Sequence, residues 1–167
     1  MEVVWQLHRD DFDRDTNTVR GVLNGRGAEE AQIITLQTVE NLSRRIPAGH
    51  AYECVADYWH GGDMPTWEII WPWDADGDGR PDRDRLLFHP ANAVRNRGGE
   101  LTLLGCVAPG LARVDNVWET FYPGEPVHEL ARGLPGVSSS RDAFQRFSTN
   151  NAGIERFTLK VTEVPGA

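Results

Sequence analysis

The chain has 167 residues, of which 40% are hydrophobic, and a net charge of -8 at pH 7. That length suits one domain with a core that needs no disulfide staples, and two cysteines, Cys54 and Cys106, are too few for a disulfide scaffold. The acidic balance, with Arg residues scattered among Asp and Glu, argues against nucleic-acid binding, and the opening "MEVVWQLHRDDFDRD" holds no long apolar run, so a product made in the cytoplasm without signal peptide or membrane span is expected.

In chain order, "EVVWQLHR", "NTVRGVLN", "AQIITLQTV", "HAYECVADYW", "TWEIIWPW", "RLLFHP", "ELTLLGCV" and "RFTLKVTEV" read as strands. Each is apolar or alternating, rich in β-branched residues, and bounded by Gly, Pro, Asn or Asp. Alternation within "TWEIIWPW" puts Trp67, Ile69, Trp71 and Trp73 on one face, expected to be core. "AEEAQ" reads as loop or strand start. The one expected helix is "SSSRDAFQRFSTN" at about 139–150. Its serines can cap it, and Ala143, Phe144 and Phe147 share a face at helical spacing. Many short strands and one C-terminal helix predict a mainly β single domain over 1–167, a β-sandwich or partly closed barrel.

"DADGDGRPD" carries the most specific local spacing. Asp74, Asp76 and Asp78 take positions 1, 3 and 5 of a calcium loop. Gly79 follows at the turn, Arg80 offers a backbone carbonyl, and Asp82 stands at position 9. Carboxylates at alternate positions converge on a hard cation because such a loop curls around it. Arg85 replaces the usual bidentate Glu at position 12, and Asp84 at position 11 is the candidate substitute. The expected cofactor is structural calcium held over 74–84, in a loop that feeds directly into the His89 strand. Without an ion the same stretch reads as an acidic solvated turn.

Two further residues carry possible chemistry. His89 ends the run "LLF", and Cys106, after Gly105, ends "LTLL". A cysteine becomes a nucleophile when a nearby base takes its proton. The intervening polar, Gly-containing loop can turn the chain back so that both face one mouth. Gly105 leaves room for substrate, and Asn92 is a candidate to orient His89. The plainer alternative is a buried small hydrophobe and a satisfied loop histidine. Arg44 and Arg45 are candidates to bind a peptide carboxylate, or are surface charges beside the Pro47–Gly49 turn.

His89 followed by Gly105-Cys106 resembles the signature of L,D-transpeptidases, β-rich enzymes that remodel peptidoglycan through a cysteine acyl-enzyme. "RIPAGHAY" is similar to that family's "TPxGxF" segment. The Ser-His that precedes Gly-Cys there is replaced by Leu103 and Leu104. A closer resemblance is to a family of phage-encoded and prophage-encoded proteins whose pattern runs "SRIPAGxYxV", "ILIHPGN", "GCILPG" and a late "SrxAf" helix. The matching segments here are "SRRIPAGHAYECV", "LLFHPANAV", "GCVAPG" and "VSSSRDAF", with "TLQTVEN" before them, together spanning roughly 17–150. That resemblance singles out His89, Pro90, Asn92, Gly105 and Cys106, and makes the acidic loop at 74–84 an insertion.

The resemblances imply a virion-associated tail or baseplate domain with an L,D-transpeptidase-like His–Cys site that cleaves or exchanges peptide bonds of peptidoglycan. Its partners would be other phage structural proteins, with no nucleic acid and no membrane. Two alternatives stand beside this one. The first is a non-catalytic tail or baseplate component. The second is a calcium-dependent cell-wall or carbohydrate-binding module using the tryptophans.

Overall fold

A computed structural model describes residues 2–165. Strands β1 (Val4–Asp13), β2 (Thr18–Gly25), β3 (Ile34–Asn41), β4 (His50–Trp59), β5 (Met64–Ile69), β6 (Ala108–Gly110), β7 (Ala112–Val114), β8 (Gly136–Ser138) and β9 (Arg156–Glu163) dominate. Two helices, α1 (Val117–Phe121) and α2 (Ser140–Asn150), and two 3-10 turns complete the described chain. The mainly β class, and the single longer helix near the C-terminus, agree with the expectation from sequence.

Seven strands form one curled sheet in the order β5-β4-β9-β1-β2-β3-β6. Its pairs are antiparallel except β1 with β9. Alternation decides which side chains point inward. In β1, Trp5, Leu7 and Arg9 are buried, whereas Gln6 and His8 are exposed. Leu7 stands opposite Leu23 of β2 on one side and Val161 of β9 on the other. Cys54 of β4 likewise faces Phe157 and Ile69.

The two edges of this sheet are joined by a short segment, residues 86–88. An antiparallel bridge links Leu87 to Glu68 of β5, and a parallel bridge links Phe88 to Val107, which leads into β6. Ile69 N–H donates to the Leu86 carbonyl at 2.6 Å, and Val107 N–H donates to the Leu87 carbonyl at 3.1 Å. The closure is a corner of isolated bridges, not a full ladder. The strands expected over 85–90 and 100–107 are therefore corrected to bridging segments. Pro90 has no N–H with which to extend one, and Gly105 at φ +104° breaks the extended run of the other.

Helix α2 packs into the curl. Ala143, Phe144 and Phe147 are fully buried, and Phe147 sits centrally. Its ring centroid lies 4.9 Å from Trp5, 4.8 Å from Phe88 and 5.5 Å from Trp67. The serine cap expected for this helix is not formed by Ser139. That residue is left-handed (φ +51°) and makes no side-chain cap hydrogen bond.

A second apolar cluster lies on the outer face of β3. Val39, Leu103, Ala108, Val117, Leu134 and Val137 belong to it. The 90–104 loop, the small β7–β8 sheet and α1 thus form an outer layer. The 86–89 and 105–108 segments run between the two cores. Leu86, Phe88 and Val107 face the inner one, and Cys106 and Ala108 face the outer.

Four ionic side chains sit at one end of the curl. Arg9 and Glu40 are fully buried, with Nη2 and Oε1 2.7 Å apart and Nε to Oε2 at 2.9 Å. Arg9 also reaches the Ile46 carbonyl at 2.8 Å and Glu163 at 3.0 Å. Arg45, weighed above as a carboxylate binder, is committed to Glu163 at 2.6 Å. Burial works against ionising Glu163, but Arg45 and Arg9 outweigh it and hold its carboxyl below the usual range.

Candidate functional site

The parallel bridge between Phe88 and Val107 sets the geometry of the His–Cys pair. Bridged residues share a face, and their neighbours share the opposite one. Leu87, His89, Cys106 and Ala108 therefore project to the same side, with Cys106 level with Leu87 and His89 level with Ala108. His89 N–H donates to the Val107 carbonyl at 3.2 Å, and the Thr66 hydroxyl donates to the Phe88 carbonyl at 2.5 Å, pinning this segment between β5 and 105–108.

No hydrogen bond joins the thiol to the imidazole among the described residues. The Cys106 sulfur accepts from Leu87 N–H at 3.3 Å and points its own proton toward the Arg85 carbonyl at 3.6 Å. The His89 ring stacks on Trp59, with centroids 5.3 Å apart and planes at 21°. Its Nδ1 lies 3.1 Å from the Pro90 carbonyl. A proton on Nδ1 donates there and leaves Nε2 as the free base. The orienting group is thus the Pro90 carbonyl and not the Asn92 side chain.

Electrostatics put both groups in their neutral forms. Burial pushes the Cys106 thiol up, against the opposing pull of Leu87 N–H, Arg83 and Arg85. Burial also pushes His89 down, more than its bond to Pro90 raises it. A neutral imidazole is a competent base, but the thiol has to surrender its proton when substrate arrives.

Gly105, immediately before the thiol, is covered by Arg83. The Arg83 guanidinium donates to the Arg44 carbonyl at 2.7 Å and the Leu104 carbonyl at 3.3 Å. It also lies 4.9 Å from the Trp71 ring centre. A Cβ on Gly105 would meet that guanidinium, and would approach Leu86 at 2.9 Å and the Arg44 carbonyl at 3.1 Å. Gly105→Ala is expected to cost about 1–3 kcal/mol, because φ +104° adds strain to the crowding. Thermal denaturation reads this out, and a variant as stable as the wild type would show that the contact is loose.

A cavity of about 670 Å³ opens beside His89. Trp59, Asn92, Asn96, Trp118 and Arg141 are among its walls. Asn92 is fixed by its backbone: its carbonyl accepts from Val137 N–H at 2.9 Å, and the close approach works because Gly136 carries no side chain there. The Asn92 Oδ1 atom is buried and has no partner. Cys106 is not among the residues lining this cavity, so it is not the shared mouth expected for the two side chains.

The acidic loop is exposed. Ligand oxygens of Asp74, Asp76 and Asp78 lie within 4.8 Å of one another. Asp74 accepts Gly79 N–H at 2.8 Å and Asp78 N–H at 3.2 Å, and Asp82 accepts Ala75 N–H at 2.9 Å. A hydrogen bond from Asp76, joined by those loop amides, holds the Asp74 carboxyl below the usual range. Arg80 and Asp84 are exposed, and Asp84 is not part of the triad. Trp71 and Trp73 leave the strand and pack, partly buried, against the inner core, 4.7 Å apart.

Sequence reasoning missed Trp59, Trp118, Arg83 and Arg141. Arg141 follows the serines that mark the helix start, which is the one local signal that could have singled it out. The rest are brought to the site from distant segments.

No family model, curated protein or solved structure matches the chain. No described helix is long and apolar enough to cross a membrane.

Proposed function

We propose that the protein is a virion-associated domain that cleaves or exchanges peptide bonds of peptidoglycan through Cys106 and His89. The observation that carries this is the common face of the two side chains, with His89 lining an aromatic-walled cavity. The phage setting and the wall substrate come from the motif resemblance.

In this chemistry Cys106 Sγ attacks the carbonyl carbon of the scissile bond while His89 Nε2 takes the thiol proton. The C–N bond then breaks, and His89 returns the proton to the leaving amine. The thioester left on Cys106 is released by water or by an acceptor amine. Gly105 and Cys106 N–H donate no backbone hydrogen bond among the described residues, so both are free to hold the oxyanion. The test is peptide release from purified sacculi by the wild type and by Cys106→Ala. Equal release by both would exclude this chemistry.

A non-catalytic role in a tail or baseplate is favoured by one observation. The thiol is turned inward to Leu87, and Arg83 closes over Gly105. An inert thiol across the pH range, with stoichiometric copies in purified particles, would select that reading.

We further propose that Asp74, Asp76, Asp78 and Asp82, with the Arg80 carbonyl, hold structural calcium. Three carboxylates within 4.8 Å fit a cation bonded at about 2.3–2.6 Å. Calcium at 100 times its Kd is expected to stabilise the fold by about 2.7 kcal/mol and so to raise Tm by several degrees. EDTA is expected to reverse the rise, and Asp76→Asn to weaken it. A melting curve indifferent to calcium in the wild type would refute the site.

A further inference from the structure

We infer that Trp59 is a positioning residue for His89. Its indole, backed by the Gly61–Gly62 turn, fixes the plane of the imidazole and offers a face to the imidazolium that forms when His89 takes the thiol proton. The use of that imidazolium rests on the acyl-transfer reading, whereas the stack itself does not.

Trp59 is the last residue of β4 and pairs with Met64, the first residue of β5. The turn between them, residues 60–63, reads "HGGD". A Cβ on Gly62 would fall 2.1 Å from Cζ3 and 2.5 Å from Cε3 of the indole, and one on Gly61 would fall 3.0 Å from Nε1. Neither glycine has the left-handed backbone that favours this residue, so crowding against the indole is what excludes a side chain. These contacts run from the ring nitrogen to the far side of the six-membered ring, so the turn lies along the indole and backs it. The imidazole stacks on that indole at 21° and 5.3 Å. On its edge, His89 Nδ1 meets the Pro90 carbonyl at 3.1 Å. An edge bond alone lets the ring swing about that bond, and a stack alone lets it spin in its own plane. Together they leave one orientation, which sets where Nε2 points.

The surroundings make the face matter electrostatically. No Asp or Glu lines the cavity beside His89 among the described residues, and the charged group that shares it, Arg141 of α2, has the same sign as an imidazolium. Cys106 shares the His89 face from the neighbouring segment. In the turn, His60 packs on Tyr58 at 5.1 Å, and Asp63 accepts from the Tyr58 hydroxyl. Burial also holds His89 toward its neutral form. A proton taken from the thiol is therefore stabilised by the Pro90 carbonyl at the ring edge and by the indole at the ring face. A cation within about 6 Å of an indole centroid gains roughly 0.5–1.5 pH units of proton affinity.

The experiment is an NMR pH titration of the histidine ring protons in a Cys106→Ala background, with His89 assigned by the signal lost in His89→Gln. Trp59→Phe keeps an aromatic face and Trp59→Leu removes it, while both shorten the side chain and admit similar amounts of water. The His89 pKa is expected to be higher in the Phe variant than in the Leu variant by about half a pH unit or more. Gly62→Ala, which adds a side chain against the indole, is expected to move the His89 pKa from its Gly62 value. Equal pKa values in the Phe and Leu variants would overturn the stabilising face, and an unmoved value in Gly62→Ala would overturn the backing by the turn. With the thiol restored, Trp59→Leu is expected to slow peptide release from sacculi roughly tenfold and Trp59→Phe to recover part of it. Equal release by wild type and Cys106→Ala would defeat the catalytic reading and leave the titrations to decide the stack. Titrations alike in Phe and Leu, beside release that needs Cys106, would do the reverse.

Discussion

Alanine in place of Cys106 is expected to lower peptide release from sacculi by roughly a thousandfold or more, the usual consequence of removing a covalent nucleophile. The fold should tolerate the change. The thiol makes two weak hydrogen bonds and faces the edge of the outer cluster, so the cavity left is small. His89→Ala should have a similarly deep effect, since no other imidazole lines the adjoining cavity.

The pH dependence follows from the directions of the two shifts. Burial raises the thiol pKa, so its thiolate fraction climbs with pH through a midpoint above that of an ordinary cysteine. Burial lowers the His89 pKa, so the base is already neutral through the neutral range. Alkylation by iodoacetamide should therefore accelerate steadily from neutral into alkaline pH. Arg83→Gln should slow it at fixed pH by removing a cation that favours the thiolate. A rate that is flat through neutrality would instead reveal a preformed thiolate–imidazolium pair.

Arg9→Met is expected to destabilise the fold by about 3–5 kcal/mol, because it leaves the Glu40 carboxylate buried without a counter-charge. For a chain of this length each kcal/mol moves Tm by about 2–4 °C, so a fall on the order of 10 °C is the expected reading. Glu163 adds a pH signature in the wild type. Its folded-state pKa lies below the unfolded value, so its contribution is present above the unfolded pKa and is lost as pH falls through the folded one. Arg9→Met should show less of that acid-induced loss, having lost one of the two cations that cause it. A variant melting within 2–3 °C of the wild type would mean that solvent reaches Glu40.

Neither charge betrays itself in the sequence. "QLHRDD" reads as a strand running into a polar turn, and Arg9 occupies an inward position that alternation assigns to an apolar residue. Its burial depends on Glu40 and Glu163, which lie 31 and 154 residues away. Asn92 shows the same limit at the site. Its type and motif made it a candidate orienter of His89, but a backbone bond from Val137 N–H fixes it against the cavity wall, and the Pro90 carbonyl takes the orienting place.

Local patterns were sufficient to define the six long strands, the inward face of Trp67 and Ile69 in β5, the Ala143–Phe147 face of α2 and the convergence of Asp74, Asp76 and Asp78. Alternation, helical spacing and short ligand spacing act between residues a few positions apart, so they survive in one dimension. The closure of the sheet through isolated bridges at 86–88, the common face of His89 and Cys106, the cover of Arg83 over Gly105 and the cavity walled by Trp59, Trp118 and Arg141 were decided by the tertiary structure. Each depends on which distant segments become neighbours, and that is set by the burial of the whole apolar core rather than by any local run of residues.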